Sequence, residues 1–218
     1  MRPELVIFDC DGVLVDSEGP LSELVVADLA TRGFEVSAAD FHDRFTGGTM
    51  KDVDRRLREA GADLPEDWVA FIYQRIFARM AEGVEMTEGA VALIDWLEAR
   101  GVAVAVASNG PVEKMRGSLG PSGLLERLGA RVFSAHDHGT AKPEPGLLLI
   151  AAEAAGVAPE RAVMVDDSPV GHWAARDAGM QFFGYVEHGN AAKMEAEGVA
   201  TVRSMAELQA GLAALLDG

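Results

Sequence analysis

The sequence predicts an α/β fold, a doubly wound parallel sheet with an inserted all-helical cap domain, and three observations lead there. Short, almost wholly apolar runs recur along the chain, each followed by polar residues. Helical patterns of about ten residues separate them, several closed by a glycine such as Gly101, Gly120, Gly156 and Gly179. One long stretch, residues 19–86, offers helical patterns and no convincing strand.

Leu5-Val-Ile-Phe-Asp9 is the first run, continuous apolar residues ending in an acid, as expected of a strand buried on both faces of a parallel sheet. Helical patterns over 20–32, 50–60 and 66–80 follow. They make residues 19–86 the cap and split the core domain between 1–18 and 87–218. A helix over 89–100 then precedes a second strand over 102–107 that ends at Ser108. After a helix over 111–119, a run over 131–134 leads toward Lys142 and a helix over 145–155. A fourth strand over 162–165 ends at Asp166 and Asp167, before a helix over 170–178. The stretch 204–216 reads as an amphipathic helix packing on the core. Ligands of such sheets sit beyond the carboxyl ends of the strands, where these polar residues fall.

Composition narrows the partners. With 49% hydrophobic residues among 218, the chain can bury a core and a smaller inserted module. Thirty-five acidic against nineteen basic residues give a net charge of −16, which disfavours nucleic acid and anionic lipid. The same charge opposes a phosphorylated substrate, so a phosphate site needs local positive charge from a metal ion or a lysine. No apolar run approaches the roughly 18 to 20 residues that span a bilayer. The run at residues 5–8 is too short for a secretory signal, and a cytoplasmic protein is expected. Cys10 is the single cysteine, read as a small buried residue.

Asp9 and Asp11, two apart at a strand end, can face one side while Cys10 turns inward and Gly12 lets the backbone bend. Paired carboxylates suit a nucleophile and a proton donor; taken alone, a solvated turn explains them as well. Ser108-Asn109-Gly110-Pro111 is a ready anion site or a helix cap. Lys142-Pro143 offers a compact phosphate-binding charge or a surface lysine. Asp166-Asp167-Ser168 could coordinate a hard cation or start a helix. Their succession at strand ends argues against independent accidents. Carboxylates about 4 Å apart repel by roughly 4 kcal/mol at an effective dielectric of 20, so the cluster needs a lysine and a divalent cation. Magnesium, which takes oxygen ligands and accepts a phosphate oxygen, suits it.

Other residues invite plainer readings. His136 and His138, around Asp137, read as loop residues rather than zinc ligands. Trp68, Trp96 and Trp173 read as packing residues. Arg55, Arg56 and Arg58 read as a solvated helix face, with contact to a substrate carboxylate as the alternative.

Asp9-Cys-Asp-Gly-Val-Leu-Val-Asp-Ser-Glu18, then Ser108, Lys142 and Asp166-Asp167, resemble the four motifs of the haloacid dehalogenase superfamily. The resemblance is to its phosphatase and phosphomutase branch, covers essentially the whole chain, and is weakest in the cap. It implies a Rossmann-like core, Asp9 as the nucleophile that becomes a phosphoaspartate, Asp11 as general acid and base, and Ser108 with Lys142 binding the phosphoryl group. Magnesium is implied among Asp9, the Asp11 carbonyl and Asp167, with Asp166 assisting. Asn109 and Gly110 are expected at the phosphate, and Gly47 and Thr49 in a cap loop that resembles one closing over substrate; a plain turn is the other reading of that loop.

The implied activity is magnesium-dependent hydrolysis of a small phosphorylated metabolite, a sugar or sugar-acid phosphate, by a monomer or small homo-oligomer. Dehalogenating members lack the second aspartate, which disfavours that reaction. Residues 108–115, 165–168 and 178–180 look closest to bacterial 6-phosphogluconate phosphatases. A beta-phosphoglucomutase-like phosphomutase is the nearest alternative, yet Leu21 and Met50 stand where its cap histidine and arginine align. A phospho-accepting receiver module also combines aspartates, a hydroxyl and Lys-Pro, but lacks a cap and carries its acceptor on a later strand.

Overall fold

The computed structural model describes residues 2–16, 18–45, 49–81, 83–187 and 191–218. Its sheet comprises β1 (Leu5–Phe8), β2 (Ala103–Ser108), β3 (Val132–Ser134), β4 (Ala162–Asp166), β5 (Gln181–Tyr185) and β6 (Thr201–Val202). All pairings are parallel, in the order β3-β2-β1-β4-β5-β6. Leu5 stands opposite both Ala103 and Ala162, so β1 is flanked on each edge and covered on each face. An apolar side chain at every β1 position answers that burial. Strand order reverses between β1 and β4, and a crevice opens beyond their carboxyl ends.

Among the described residues, four helices separate β1 from β2's approach helix: α1 (Glu18–Thr31), α2 (Ala38–Phe45), α3 (Met50–Glu59) and α4 (Trp68–Ala81). The core helices are α5 (Ala90–Glu98), α6 (Val112–Leu119), α7 (Leu124–Leu128), α8 (Ala135–His138), α9 (Gly146–Ala155), α10 (Pro169–Ala178), α11 (Ala191–Ala196) and α12 (Met205–Asp217). Period-two alternation divides the strands between two cores. Val6, Phe8, Val104 and Val163 pack under α5, α6, α7 and α12. Leu5, Ile7, Ala105 and Met164 pack under α9 and α10. None of the helices described is long and apolar enough to cross a membrane.

The cap has an apolar cluster of its own, which includes Leu29, Phe41, Leu57, Trp68 and Ile72. Trp68 donates its indole N–H to Asp28 Oδ2 at 2.8 Å, and Arg32 Nε donates to the same oxygen at 2.8 Å, tying α4 to α1. Burial pushes the Asp28 carboxyl up, but the hydrogen bonds from Arg32 and Trp68, with the charges of Arg32 and Arg75, outweigh it and hold the group below the usual carboxylate range. Thr49 opens α3 with a capping box, its hydroxyl accepting from Asp52 N–H while Asp52 Oδ2 accepts from Thr49 N–H at 2.9 Å. The two connections between core and cap run side by side. Asp16 N–H donates to Glu85 O and Thr87 N–H to Leu14 O, each at 3.0 Å.

Two strands escaped the sequence reading. β5 is only partly buried over Gln181-Phe-Phe, and β6 has two residues, so neither carries the continuous apolar run that marked the others. The helices α2, α7, α8 and α11, of eight residues or fewer, are likewise additions. Of the expected site residues, Gly47 lies outside the described residues, as does the side chain of Leu21.

Candidate active site

Asp9 prolongs β1, its N–H donating to Val165 O at 2.8 Å, which fixes the side chain at the mouth of the crevice. Lys142 reaches it from the loop before α9. Its ammonium lies 2.8 Å from Asp9 Oδ1 and 2.6 Å from Asp166 Oδ2, with 4% of the side chain exposed. Asn109 locks this loop: Lys142 N–H donates to Asn109 Oδ1 at 2.8 Å, and Asn109 Nδ2 donates to Lys142 O at 2.9 Å. The Asn109 amide, expected at the phosphate, thus clamps the lysine's backbone at both ends. Burial pushes the Asp9 carboxyl up to about 7, Lys142 pulling it down while Asp166 and Asp11 push it further up. Burial alone would lower Lys142, but Asp166 and Asp9 outweigh it and raise it, so the ammonium stays charged.

Asp11 follows on a turn that Gly12 permits with φ 74°, and it pairs with Lys114 of α6, Nζ to Oδ2 at 2.6 Å. Burial likewise opposes the Lys114 charge, and Asp11 overrides it, raising the group above the usual lysine range. Cys10 is buried, as expected, with Sγ 3.7 Å from Ser118 Oγ. Burial, then the charges of Asp11 and Asp9, push its thiol well up, so it is a packing group rather than a nucleophile. Ser108 ends β2 and is buried, its hydroxyl accepting from Gly110 N–H at 3.0 Å. The helix after it starts at Val112 with Pro111 at the cap position, one residue later than the sequence suggested.

Asp9, Asp166 and Asp167 each offer a carboxylate oxygen, all within 4.8 Å of one another. Asp166 is buried and heavily engaged: Oδ1 accepts from Ser168 N–H at 3.0 Å and Ser168 Oγ at 2.7 Å, Oδ2 from Lys142. Gly171 packs so closely on this carboxylate that any side chain there would collide with it. The Asp11 carboxylate is not part of the group of three, being turned to Lys114. The donor set fits a hard cation. Three carboxylates converge there, and Lys142 offsets only part of their charge.

A cavity of about 390 Å³ lies over this cluster, and the cap supplies its far wall. Thr49, Asn109 and Gly110 are among its lining residues. Arg55 and Arg58 do form surface pairs, with Glu59 at 3.2 Å and Asp54 at 2.9 Å. Arg56 instead lines the cavity, Nη1 donating to Phe45 O at 2.8 Å. It shares a helix face with Thr49, seven residues away, a periodicity that could have singled it out. Trp173 also corrects the packing expectation, lining the cavity while its indole N–H donates to Glu197 at 3.0 Å. Tyr73, Lys114 and Lys193 were not singled out for a role and also line it. His136 and His138 are exposed, and neither belongs to a metal-binding group among the described residues.

A reversed-order parallel sheet, a helical insertion after the first strand and a lysine-bridged acidic cluster at the switch point together agree with one class of hydrolase. The chain belongs to the haloacid dehalogenase-like hydrolases, whose family model matches residues 3–179, and it is a phosphatase of that family. It is 35% identical over 184 residues to 6-phosphogluconate phosphatase of Escherichia coli, covering 84% of this chain and 82% of that one. Phosphoglycolate phosphatase 1 of Pseudomonas aeruginosa is 29% identical over 185 residues, covering 82% and 68%. A HAD family hydrolase from Deinococcus radiodurans, solved with bound phosphate and sodium, superposes with a TM-score of 0.80 at 32% identity, covering 98% of this chain and 96% of that one. The receiver-module alternative falls with these findings, since the family model that spans residues 3–179 is that of a hydrolase.

Proposed function

We propose that this phosphatase is magnesium-dependent, works through a phosphoaspartate at Asp9, and acts on a small sugar or sugar-acid phosphate beneath a cap formed by residues 19–86. The observation that carries the reading is the Lys142 ammonium held between Asp9 and Asp166, with Asp167 within reach of the same point. In the first step an Asp9 oxygen attacks phosphorus, the ester P–O bond breaks, and the leaving oxygen takes a proton from Asp11. In the second, water attacks the phosphoaspartate and gives its proton to Asp11, which frees inorganic phosphate and restores Asp9. Lys142 and Ser108 stabilise the equatorial oxygens. Asp9, the Asp11 carbonyl and Asp167 would hold magnesium, which supplies the charge that lets two anions meet; Asp166 keeps Lys142 in place.

Substrate size and chemistry are read from the cavity. Its cap wall combines apolar Val25, Phe41 and Ile76 with the hydroxyls of Ser22, Thr49 and Tyr73, a surface suited to a short polyol chain. Arg56 adds a cation that can meet a carboxylate, which favours a sugar acid and agrees with the name of the Escherichia coli relative. A panel of sugar, polyol and sugar-acid phosphates assayed with magnesium, including 6-phosphogluconate and beta-glucose 1-phosphate, tests this. Phosphate release should be fastest from a sugar acid; isomerisation without phosphate release would instead establish a mutase.

A further inference from the structure

We propose that Lys114 is a positioning residue for Asp11, holding its carboxylate at the phosphate turn where the leaving oxygen must be met. The inference rests on the phosphatase reading and adds a residue to it. Asp11 is near enough to Asp9 for the two charges to act on each other, and like charges push a side chain on such a turn outward. Lys142 is already committed to Asp9 and Asp166. Lys114 is the cation set against Asp11, with Nζ 2.6 Å from Oδ2 and side-chain exposures of 12% and 21%.

The path of Lys114 is built rather than incidental. It leaves the first turn of α6, its N–H donating to Pro111 O at 3.0 Å, and its stem runs along Gly110. A Cβ at position 110 would stand 3.4 Å from both Lys114 Cδ and Ser108 Oγ, so lysine, serine and turn are packed as one unit. α6 is itself anchored at both sides. Its Ser118 lies 3.7 Å from the sulfur of Cys10, the residue between the two aspartates. Its Gly117 lies so near cap helix α4 that a Cβ there would stand 3.2 Å from that of Met80. One helix therefore joins the aspartate turn, the phosphate turn and the cap, and Lys114 is where it reaches the reacting carboxylate.

The test separates positioning from general structural support by the leaving group. An alkyl alcohol needs a proton as it departs, whereas p-nitrophenolate does not. Because the later attack of water uses Asp11 for both substrates, the comparison is made on kcat/KM, which reports the first transfer alone, and there a misplaced Asp11 penalises only the alkyl ester. With saturating magnesium, K114M should lower kcat/KM on 6-phosphogluconate about 30-fold, within the range for a misaligned group, and kcat/KM on p-nitrophenyl phosphate less than about threefold. K114R should recover most of the loss. Adding K114M to D11N should cost nothing further, because the two act as one unit. Equal losses on both substrates, or an undiminished extra loss in the D11N background, would overturn the inference. Should K114M fail to fold, as judged by its thermal midpoint, K114Q is read by the same comparison. Failure of the phosphatase reading has a different signature: wild type releases phosphate from neither substrate, or D11N shows no dependence on the leaving group.

Discussion

The two walls of the cavity are built on different principles. On the core side, charged groups stand at strand ends and are fixed by one another: Lys142 by Asp9 and Asp166, its backbone by Asn109, and Asp11 by Lys114. On the cap side, helices present mainly apolar and hydroxyl groups, and Arg56 is the charged side chain they add among the described residues. The contrast teaches a division of labour. Transition-state charge is best met by dipoles and ions that need no rearrangement, which a parallel sheet flanked on both edges provides. Choice of substrate needs shape and a few polar contacts, which a separate helical layer can vary without disturbing the chemistry.

The strongest way to break this contrast is at the core. Asp9→Asn should lower turnover by about four orders of magnitude or more, as removal of a nucleophile does, while thermal melting stays cooperative. Appreciable residual turnover would move the chemistry elsewhere. Chelation should abolish phosphate release and added magnesium should restore it; full activity in excess chelator would show that the acidic cluster works unaided.

Cap changes should be smaller and of another kind. Asp28→Asn should cost about 2 kcal/mol of stability at neutral pH, the order of a buried charge-assisted hydrogen bond. Because the folded carboxyl lies below its usual range, that contribution is complete above the unfolded value of about 4 and is lost as pH falls through the folded one. Thermal midpoints of the two proteins measured from pH 7 to 3 should therefore converge at the acid end; a gap independent of pH would assign Asp28 a packing role only. Smallest of all, Arg56→Gln should lower the ratio of kcat/KM for 6-phosphogluconate over a neutral polyol phosphate about tenfold, or about 1.4 kcal/mol. An unchanged ratio would leave Arg56 as a brace for Phe45.

Legibility in the sequence followed the same line. Asp9, Ser108 and Asp166 were found because each follows an apolar run, and a run of that kind leaves the sheet at one end only. Arg56 and Trp173 were assigned to solvated or packed faces, since helical periodicity tells which residues share a face but not what the face meets. β5 and β6 were missed because β5 is only partly buried over its first three residues and β6 is a two-residue strand at the sheet's edge, so neither carries the continuous apolar signature of the central strands.

By itself, then, the sequence determined that a parallel sheet would carry acids and a lysine at its strand ends, because burial on both faces writes itself into short consecutive runs. Only the tertiary structure decided the pairings. Lys142 meets Asp9 across 133 positions of chain, and Lys114 meets Asp11 from a helix on the far side of the cap insertion. Contacts of that kind depend on how layers close over one another, and local pattern carries no record of it.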